Sequence, residues 1–302
     1  MKLLITPAIR LNERQRQILE KKHELFFLED ERIPITEQKI DFIPQEIEGI
    51  VCNFFFMYNS CDALPNLKFI QLTSVGLDRV PLEKIKKRGI MLHSAGSVYA
   101  VPMAEWAVGK VLEIYKFSNF FRERQKEKKW EKNRDIKELA GNTALILGFG
   151  NVGKNIAKRL KAFGVNIWAV DVQTDKSGLS DLYYDISALE DIVGNADVIF
   201  VTLPLTDETF HIIGKKIISR MKEDVVLINV ARGAVIEETA LIQALKDGRF
   251  LGVALDVFER EPLEEMSELW NYDRVILTPH NSFVGNGNDN RIFSLLETNL
   301  NQ

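Results

Sequence analysis

Cysteine and histidine are scarce in this sequence. Among its 302 residues there are two cysteines and four histidines. Neither Cys52 nor Cys61 has a partner at the C-x-x-C spacing that is typical of redox and metal sites. We therefore expect two buried free thiols, which fits the reducing environment of the cytoplasm, and we expect no bound metal.

Membrane and export signals are also missing. No run approaches the roughly 20 apolar residues that a helix needs to span a bilayer. The apolar stretch at the amino end is too short for a signal peptide, and Arg10 closes it. We therefore expect a cytoplasmic protein without membrane partners.

Neither sign of charge is in large excess. Lysine and arginine number 39 and aspartate and glutamate 43, which gives a formal net charge of -4. A nucleic-acid-binding domain normally shows a basic surplus. In the most charged stretch, residues 122–134, glutamates interleave with the basic residues, so it is predicted to be a solvated helix face and loop. Nucleic acid is not an expected partner.

Short apolar runs, by contrast, are frequent, and they alternate with amphipathic segments. Helices are predicted at 12–22 and 81–89, and a long one at 101–121. The predicted strands lie at 2–6, 23–29, 49–56, 67–73, 89–94, 144–148, 165–171, 196–204, 224–230, 251–257 and 274–279. This alternation predicts the α/β class, with parallel sheets covered by helices on both faces. The length favours two domains.

A glycine motif opens the second strand–helix series. Gly148, Gly150 and Gly153 form the pattern G-x-G-x-x-G between a predicted strand and a predicted helix, the context typical of dinucleotide binding. Gly148 permits a tight turn, Gly150 lets a pyrophosphate approach the backbone, and Gly153 lets the helix pack closely. The helix then presents its N–H groups and partial positive charge to the phosphates.

Asp171 ends the strand that follows this motif. Its carboxylate can accept hydrogen bonds from the adenosine ribose, and its charge would repel a 2′-phosphate. Lys176, nearby in the sequence, argues in the other direction. The pattern favours NAD over NADP as the cofactor.

Three chemically capable residues follow the last three predicted strands: Arg232, Glu261 and His280. Ligands of open α/β sheets bind beyond the carboxyl ends of the strands. Arginine can hold a carboxylate in a two-pronged contact, and histidine can transfer a proton near neutral pH while a neighbouring carboxylate orients its ring. With a nicotinamide at the same edge, these residues predict hydride transfer between a 2-hydroxy acid and a 2-oxo acid.

Plainer interpretations exist for each of these residues. Arg232 could form a surface salt bridge, and His280 could be a turn residue after a proline. The acidic residues of the Glu261 region could form a solvated loop. The other histidines have no comparable setting and are interpreted as structural: His23, His93 and His211.

Nearly the whole chain resembles the NAD-dependent D-2-hydroxyacid dehydrogenases, which include phosphoglycerate, glycerate and D-lactate dehydrogenases. The similarity is carried, in order, by TSVGLDRV (73–80), VPMAEWAVGKVLEI (101–114), GFGNVG (148–153), LPLTDET (203–209), NVARG (229–233), LDVFEREP (255–262) and LTPH (277–280). The resemblance implies that Arg232 binds the substrate carboxylate and carbonyl, that His280 is the acid and base, and that Glu261 pairs with it.

The resemblance also implies binding residues. The implied substrate-binding residues are Ser74, Val75, Gly76 and Arg232. The implied NAD-binding residues are Gly148, Gly150, Asn151, Val152, Gly153, Asp171, Pro204, Thr209, Val230, Ala231, Arg232, Asp256 and His280. Among them, Asp256 matches the position that holds the nicotinamide carboxamide.

The family's architecture implies two doubly wound parallel-sheet domains with a cleft between them. A flavodoxin-like substrate domain would comprise residues 1–98 and 286–302, and a Rossmann NAD-binding domain residues 99–285. A homodimer formed through the long-helix region is expected.

Two alternative functions remain open at this level. Corepressors of the same family would make the chain an NAD-sensing binding module with little turnover, and a phosphite-oxidising enzyme also resembles it. Formate dehydrogenases are disfavoured, because they carry glutamine where Glu261 stands. The aromatic segment 53–59 suits an uncharged, apolar substrate tail better than a phosphate, although Phe54 to Phe56 could instead only pack the core.

Overall fold

The computed structural model describes residues 1–77, 79–172, 174 and 176–301. Residues 78 and 302, which fall within the matched motif 73–80 and the expected first domain, lie outside this part of the chain. The chain forms two compact units. The first consists of Met1–Tyr99 and the segment that begins at Gly285, and the second of Ala100–Val284.

The first unit contains a five-stranded parallel sheet in the order β2-β1-β3-β4-β5. Its strands are β1 Lys2–Ile5, β2 Glu24–Phe27, β3 Gly49–Cys52, β4 Phe69–Leu72 and β5 Met91–His93. Its helices are α1 Glu13–Glu20, α2 Phe55–Tyr58, α3 Leu82–Lys87 and the C-terminal helix Asn288–Leu300. This strand order is that of flavodoxin-like folds, as the sequence predicted.

Burial explains why these runs form strands. Every residue of β3 and β4 is buried, as expected for parallel strands that are covered on both faces. Cys52 and Cys61 are buried free thiols within the same core, which confirms that prediction. Burial raises the pKa of the Cys52 thiol well above its ordinary value, so the thiol stays protonated at neutral pH.

The second unit contains a seven-stranded parallel sheet in the order β8-β7-β6-β9-β10-β11-β12. Its strands are β6 Thr143–Leu147, β7 Asn166–Val170, β8 Leu182–Tyr184, β9 Val198–Val201, β10 Val225–Asn229, β11 Phe250–Leu255 and β12 Val275–Leu277. This is the Rossmann strand order with a seventh strand added. The order in which successive strands are added to the sheet reverses between β6 and β9. The predicted class, α/β with two doubly wound parallel sheets, is confirmed.

The helices of the second unit are α4 Ala100–Tyr115, α5 Ser118–Lys126, α6 Asn151–Lys161, α7 Leu189–Ile192, α8 Lys215–Arg220 and α9 Glu238–Lys246. Helix α4 packs closely on β11, where a Cβ at Gly252 would lie 2.7 Å from Ile114. Among the described residues, no helix is both long enough and apolar enough to cross a membrane.

The structure differs from two sequence predictions. The single helix predicted over 101–121 is two helices, because Phe117 adopts a left-handed backbone with φ of 51° between α4 and α5. The strand predicted over 49–56 ends at Cys52, and the aromatic residues after it form the short helix α2. Strand β8, at the edge of its sheet, was not predicted.

Candidate active site

The glycine motif lies between β6 and α6, at the point where the strand order changes direction. Gly148 has φ of +91°, and a Cβ there would lie 2.7 Å from the Thr202 carbonyl carbon. A Cβ at Gly153 would lie 2.2 Å from the Gly148 oxygen. Gly150 is different, since a Cβ there would meet no atom within 4 Å. Packing requires the outer two glycines, while the middle one leaves open space for a ligand.

Helix α6 begins directly at this open space. Its N-cap is Gly150, whose lack of a side chain leaves no capping oxygen. The first N–H groups of an α-helix have no carbonyl partner within the helix. Those of Asn151, Val152 and Gly153 belong to this first turn. The turn is therefore suited to bind a phosphate.

Asp171 connects the end of β7 to the glycine motif. One carboxylate oxygen accepts a hydrogen bond from the Phe149 N–H at 2.6 Å, and the other from the Val172 N–H at 2.7 Å. The side chain is half-buried, whereas Lys176 is exposed. The structure thus places the carboxylate beside the glycine motif, which is where the sequence analysis expected it.

Arg232 follows β10, a strand that is buried at every position. Asn229 turns the chain there, because its side chain accepts from the Ala231 N–H at 3.0 Å and donates to the Arg232 carbonyl at 3.1 Å. Arg232 itself is exposed, and its Nη1 donates to the Ala231 carbonyl oxygen at 2.7 Å. A buried strand therefore ends by presenting a guanidinium to solvent.

The loops after β10 and β11 meet through their main chains. A Cβ at Gly233 would lie 1.8 Å from the carbonyl carbon of Phe258 and 2.3 Å from the nitrogen of Glu259. No other residue type fits this contact without moving one loop. It places the turn of Arg232 directly against the loop that carries Glu261.

His280 and Glu261 form a close pair. His280 Nδ1 lies 2.8 Å from Glu261 Oε2, and Glu261 Oε1 accepts from the Phe258 N–H at 3.1 Å. His280 has a left-handed backbone, with φ of 49°, and the Phe283 ring meets its ring edge-on with centroids 6.0 Å apart. Both side chains of the pair stay partly exposed, so the ring can exchange a proton with a ligand or with water.

Asp256 holds the turn on which His280 lies. The residue is fully buried. Its carboxylate accepts from the Thr278 hydroxyl, from the Asn281 N–H at 2.8 Å and from the Ser282 N–H at 2.9 Å. Its carbonyl oxygen accepts from the His280 N–H at 2.8 Å. These contacts engage both carboxylate oxygens, so Asp256 fixes the 278–282 turn that carries His280.

The remaining residues of the expected NAD site lie in the same unit. The Thr209 hydroxyl donates to the Pro204 carbonyl oxygen at 2.7 Å, which closes the loop after β9. Val230 and Ala231 are buried directly after β10. They fix the backbone between the sheet and Arg232.

The expected substrate loop lies in the first unit, after β4. The Ser74 hydroxyl donates to the Gly76 carbonyl oxygen at 3.1 Å, and the Ser74 carbonyl accepts from the Ala95 N–H at 2.8 Å. Val75 is exposed. The loop is thus anchored at its base, while its tip faces solvent.

The aromatic residues after β3 differ in their surroundings. Phe55 is fully buried in the core, and Phe56 packs against it. Phe54 carries the guanidinium groups of Arg32 and Arg79, at 4.5 Å and 4.4 Å from its ring centroid. The core-packing alternative therefore holds for Phe55 and Phe56, and the surroundings of Phe54 are basic.

One contact at this edge was missed by the sequence analysis. His211 Nε2 lies 2.7 Å from Glu259 Oε1, at the distance of an ion pair although without the alignment of a hydrogen bond. His211 was interpreted as structural and Glu259 as part of an acidic loop. No motif or spacing connects two residues this far apart in sequence, so only the folded chain reveals the pair.

The strand order and the glycine turn define a nucleotide-binding protein of the Rossmann class. A model of the family "D-isomer specific 2-hydroxyacid dehydrogenase, NAD binding domain" matches residues 108–282. The chain belongs to this family, and it is an NAD-dependent oxidoreductase, as its sequence predicted.

Relatives and solved structures agree with this assignment. The chain is 37% identical to a hydroxypyruvate reductase of Thermotoga maritima over 72% of each sequence. It is similar to the structure of a D-lactate dehydrogenase from Aquifex aeolicus with NAD and lactic acid, at 25% identity and a TM-score of 0.74, covering 99% of this chain and 94% of that one. An NADPH-dependent glyoxylate/hydroxypyruvate reductase from Sinorhizobium meliloti gives 26% identity and a TM-score of 0.78, covering 100% and 93%.

Proposed function

We propose that this chain reduces a small 2-oxo acid to the D-2-hydroxy acid with NADH, and catalyses the reverse reaction with NAD. The observation that carries the proposal is the His280–Glu261 contact of 2.8 Å, on a loop whose neighbour presents Arg232. An acid–base group, a carboxylate that orients it and a carboxylate-binding cation are what this chemistry needs from the protein.

The residues of the second unit fit NAD. The open space at Gly150 and the first turn of α6 suit its pyrophosphate, and Asp171 suits its adenosine ribose. When bound, NAD supplies or accepts the hydride. Pro204, Thr209, Val230, Ala231 and Asp256 complete the proposed site. Because both carboxylate oxygens of Asp256 accept bonds from the His280 turn, it supports the nicotinamide region by shaping that turn.

Each protein group then has one task. Arg232 binds the carboxylate of the substrate and polarises its 2-oxo group. His280 donates a proton to the oxygen during reduction, and it takes the proton back during oxidation. Glu261 keeps the ring oriented through Nδ1 and stabilises its protonated form, which leaves Nε2 for the substrate.

The proposed division of labour follows the two units. Residues 1–98 and 286–302 bind the substrate, with Ser74, Val75 and Gly76 as contact residues, and residues 99–285 bind NAD. Relatives named hydroxypyruvate reductase and glyoxylate reductase support short 2-oxo acids as substrates. We therefore propose glyoxylate and hydroxypyruvate ahead of phosphorylated acids.

A substrate panel tests this function. Purified protein is mixed with NADH and, separately, with glyoxylate, hydroxypyruvate, pyruvate and 3-phosphohydroxypyruvate, and loss of NADH absorbance is followed. Turnover of the first two is expected. NADH binding without turnover of any acid would contradict the proposal and favour the NAD-sensing module, which receives no support from these relatives. Strong preference for the phosphorylated acid would overturn only the substrate choice.

The assembly and location form a separate part of the proposal. The segment after α5 carries Trp130, which is 96% exposed, and Ile136, which is 40% exposed. Exposed apolar side chains of this size favour burial against a partner chain, so we propose a homodimer through this region. Light scattering should give twice the mass of one chain, and the measured mass should be lower for Trp130→Ser. The two free thiols support a cytoplasmic location.

A further inference from the structure

A second histidine–carboxylate pair lies beside the proposed acid–base pair, and it uses the same loop. His211 Nε2 is 2.7 Å from Glu259 Oε1, and Glu259 precedes Glu261 by two residues. We propose that His211 and Glu259 form a positioning pair, which holds the loop after β11 so that the Glu261 carboxylate stays directed at His280. This inference rests on the proposed function, since it assigns His211 and Glu259 a role in the same reaction.

The His211 side of the pair is fixed by the turn after Arg232. Its N–H donates to the Ala234 carbonyl oxygen at 2.8 Å, and its backbone is left-handed, with φ of 51°. Its ring stacks on Phe210 with centroids 3.9 Å apart and an interplanar angle of 20°. A left-handed conformation at a non-glycine residue costs free energy unless its surroundings hold it. The position of the ring is therefore fixed where it contacts Glu259.

The Glu259 side of the pair joins a helix start. Glu259 Oε1 also accepts from the N–H of Glu238, the first residue of α9, at 2.9 Å. Burial raises the pKa of the Glu238 carboxyl, while a hydrogen bond from the Glu259 main chain lowers it and the charge of Glu259 raises it. The neighbouring Glu237 carboxylate is engaged elsewhere, since it accepts from the Lys215 N–H at 3.2 Å. The Glu259 carboxylate therefore joins the His211 ring to the start of α9.

Main-chain contacts carry the constraint from Glu259 to Glu261. The carbonyl of Phe258 and the nitrogen of Glu259 lie against Gly233, so this part of the loop cannot move towards the turn after Arg232. The Phe258 N–H then donates to Glu261 Oε1 at 3.1 Å, which directs Oε2 to His280. If the contact of Glu259 with His211 is lost, the Glu259 carboxylate keeps only the N–H of Glu238, and the 258–261 segment is held less firmly. Glu261 then stabilises the protonated His280 ring less well.

The test uses two variants and a control from the same loop. His211→Gln removes the imidazole ring, and Glu259→Gln removes the carboxylate charge while keeping an oxygen for the Glu238 N–H. Arg260→Gln is the control, because Arg260 is exposed and forms an ion pair with Glu264 instead. Circular dichroism and thermal unfolding identify any variant that fails to fold, and the other variant then carries the test.

The main measurement does not depend on turnover. The chain has four histidines, so the ring signals of His280 can be assigned in NMR spectra by comparison with His280→Gln. The pH at which the His280 ring loses its proton should move down in His211→Gln and in Glu259→Gln, in the same direction as in Glu261→Gln and by less. It should not move in Arg260→Gln.

Kinetics supply the second readout. With NADH and the accepted 2-oxo acid, kcat should fall about 3- to 10-fold in either variant while KM for NADH stays within about twofold. Adding His211→Gln to Glu261→Gln should lower kcat little further, because both act on the same contact. An unchanged His280 titration in both folded variants overturns the inference. Absence of turnover in the unaltered protein overturns the proposed function instead, and the titration still decides the inference.

Discussion

Glu261 Oε2 lies 2.8 Å from His280 Nδ1, and the other oxygen of the same carboxylate accepts a main-chain N–H from its own loop. The carboxylate is therefore oriented before it meets the ring. Because Glu261 engages Nδ1, the proton that the reaction uses resides on Nε2. This relationship gives Glu261 a role that can be separated from that of the histidine.

Replacing Glu261 should change pH dependence more than activity. A negative carboxylate stabilises the protonated ring, so the ring of Glu261→Gln loses its proton at lower pH. Reduction needs that proton, and the alkaline limb of kcat should move to lower pH in the variant. His280→Ala should cost at least about 100-fold in kcat. An unmoved alkaline limb in Glu261→Gln would show that the contact has no catalytic effect.

Arg232 should contribute far more to binding the substrate than to binding NADH. Arg232→Ala removes a charged two-pronged contact at the reacting centre, which corresponds to a loss of about 2–4 kcal/mol of transition-state binding. Arg232→Lys should also be poor, because an ammonium group cannot reproduce the planar guanidinium. Steady-state kinetics and NADH titration measure both effects. Near-normal kcat/KM in either variant would refute the role.

Asp171 should set the choice between the two nicotinamide cofactors. Its charge lies beside the glycine motif, where a 2′-phosphate would be repelled. The unaltered protein should prefer NADH over NADPH by at least about tenfold in kcat/KM, which corresponds to ~1.4 kcal/mol. Asp171→Asn should reduce that ratio, while Asp247→Asn, in the exposed turn after α9, should leave it unchanged. Equal use of both cofactors by the unaltered protein would contradict this role.

Asp256 should matter for stability and activity together. In Asp256→Asn, the amide nitrogen cannot accept, so at least one N–H of Asn281 or Ser282 loses its partner at a cost of about 1–3 kcal/mol. The melting temperature should fall, and kcat should fall with it because the His280 turn loosens. Thr278→Val, which removes only the hydroxyl donor, should be milder in both measurements. Full activity in Asp256→Asn would show that this turn does not depend on the carboxylate.

Tyr115 should destabilise the protein at alkaline pH. Burial raises the pKa of this side chain to about 12 from an ordinary value of 10.0, so the unfolded chain releases the phenol proton first. The protonated form therefore contributes stability that is complete below pH 10 and is lost towards pH 12, by up to about 3 kcal/mol. In Tyr115→Phe, urea unfolding should show a smaller decline over this range. Equal declines of the free energy of unfolding in both proteins would show that ionisation of Tyr115 does not cause the loss of stability.

The sequence predicted the positions of the strands better than the boundaries of the helices. Apolar runs between polar segments are a strong signal for buried parallel strands, and ten of the predicted strands end within a few residues of the observed ones. The end of α4 depends on Phe117, whose left-handed backbone has no signal in residue type. Helix α2 was misread because aromatic residues favour strands in general.

Sequence reasoning about the site was limited in a similar way. Arg232, Glu261 and His280 were proposed as site residues because each follows a strand at the carboxyl edge of one sheet. The contact of His211 with Glu259 could not be found in this way, since it depends on how three loops pack on each other. The cations on Phe54 were missed for a related reason: Arg32 and Arg79 come from different loops, and only the folded chain brings them to one ring.

The absence of a side chain at Gly233 has a consequence for transplanting loops between relatives. Since this backbone touches that of Phe258, the segments carrying Arg232 and Glu261 are matched surfaces. A loop grafted after β11 would have to bring a main-chain path compatible with the existing turn, or be exchanged together with it. Engineered hybrids of this chain should therefore tolerate paired exchange of residues 229–237 and 256–262 better than exchange of either segment alone.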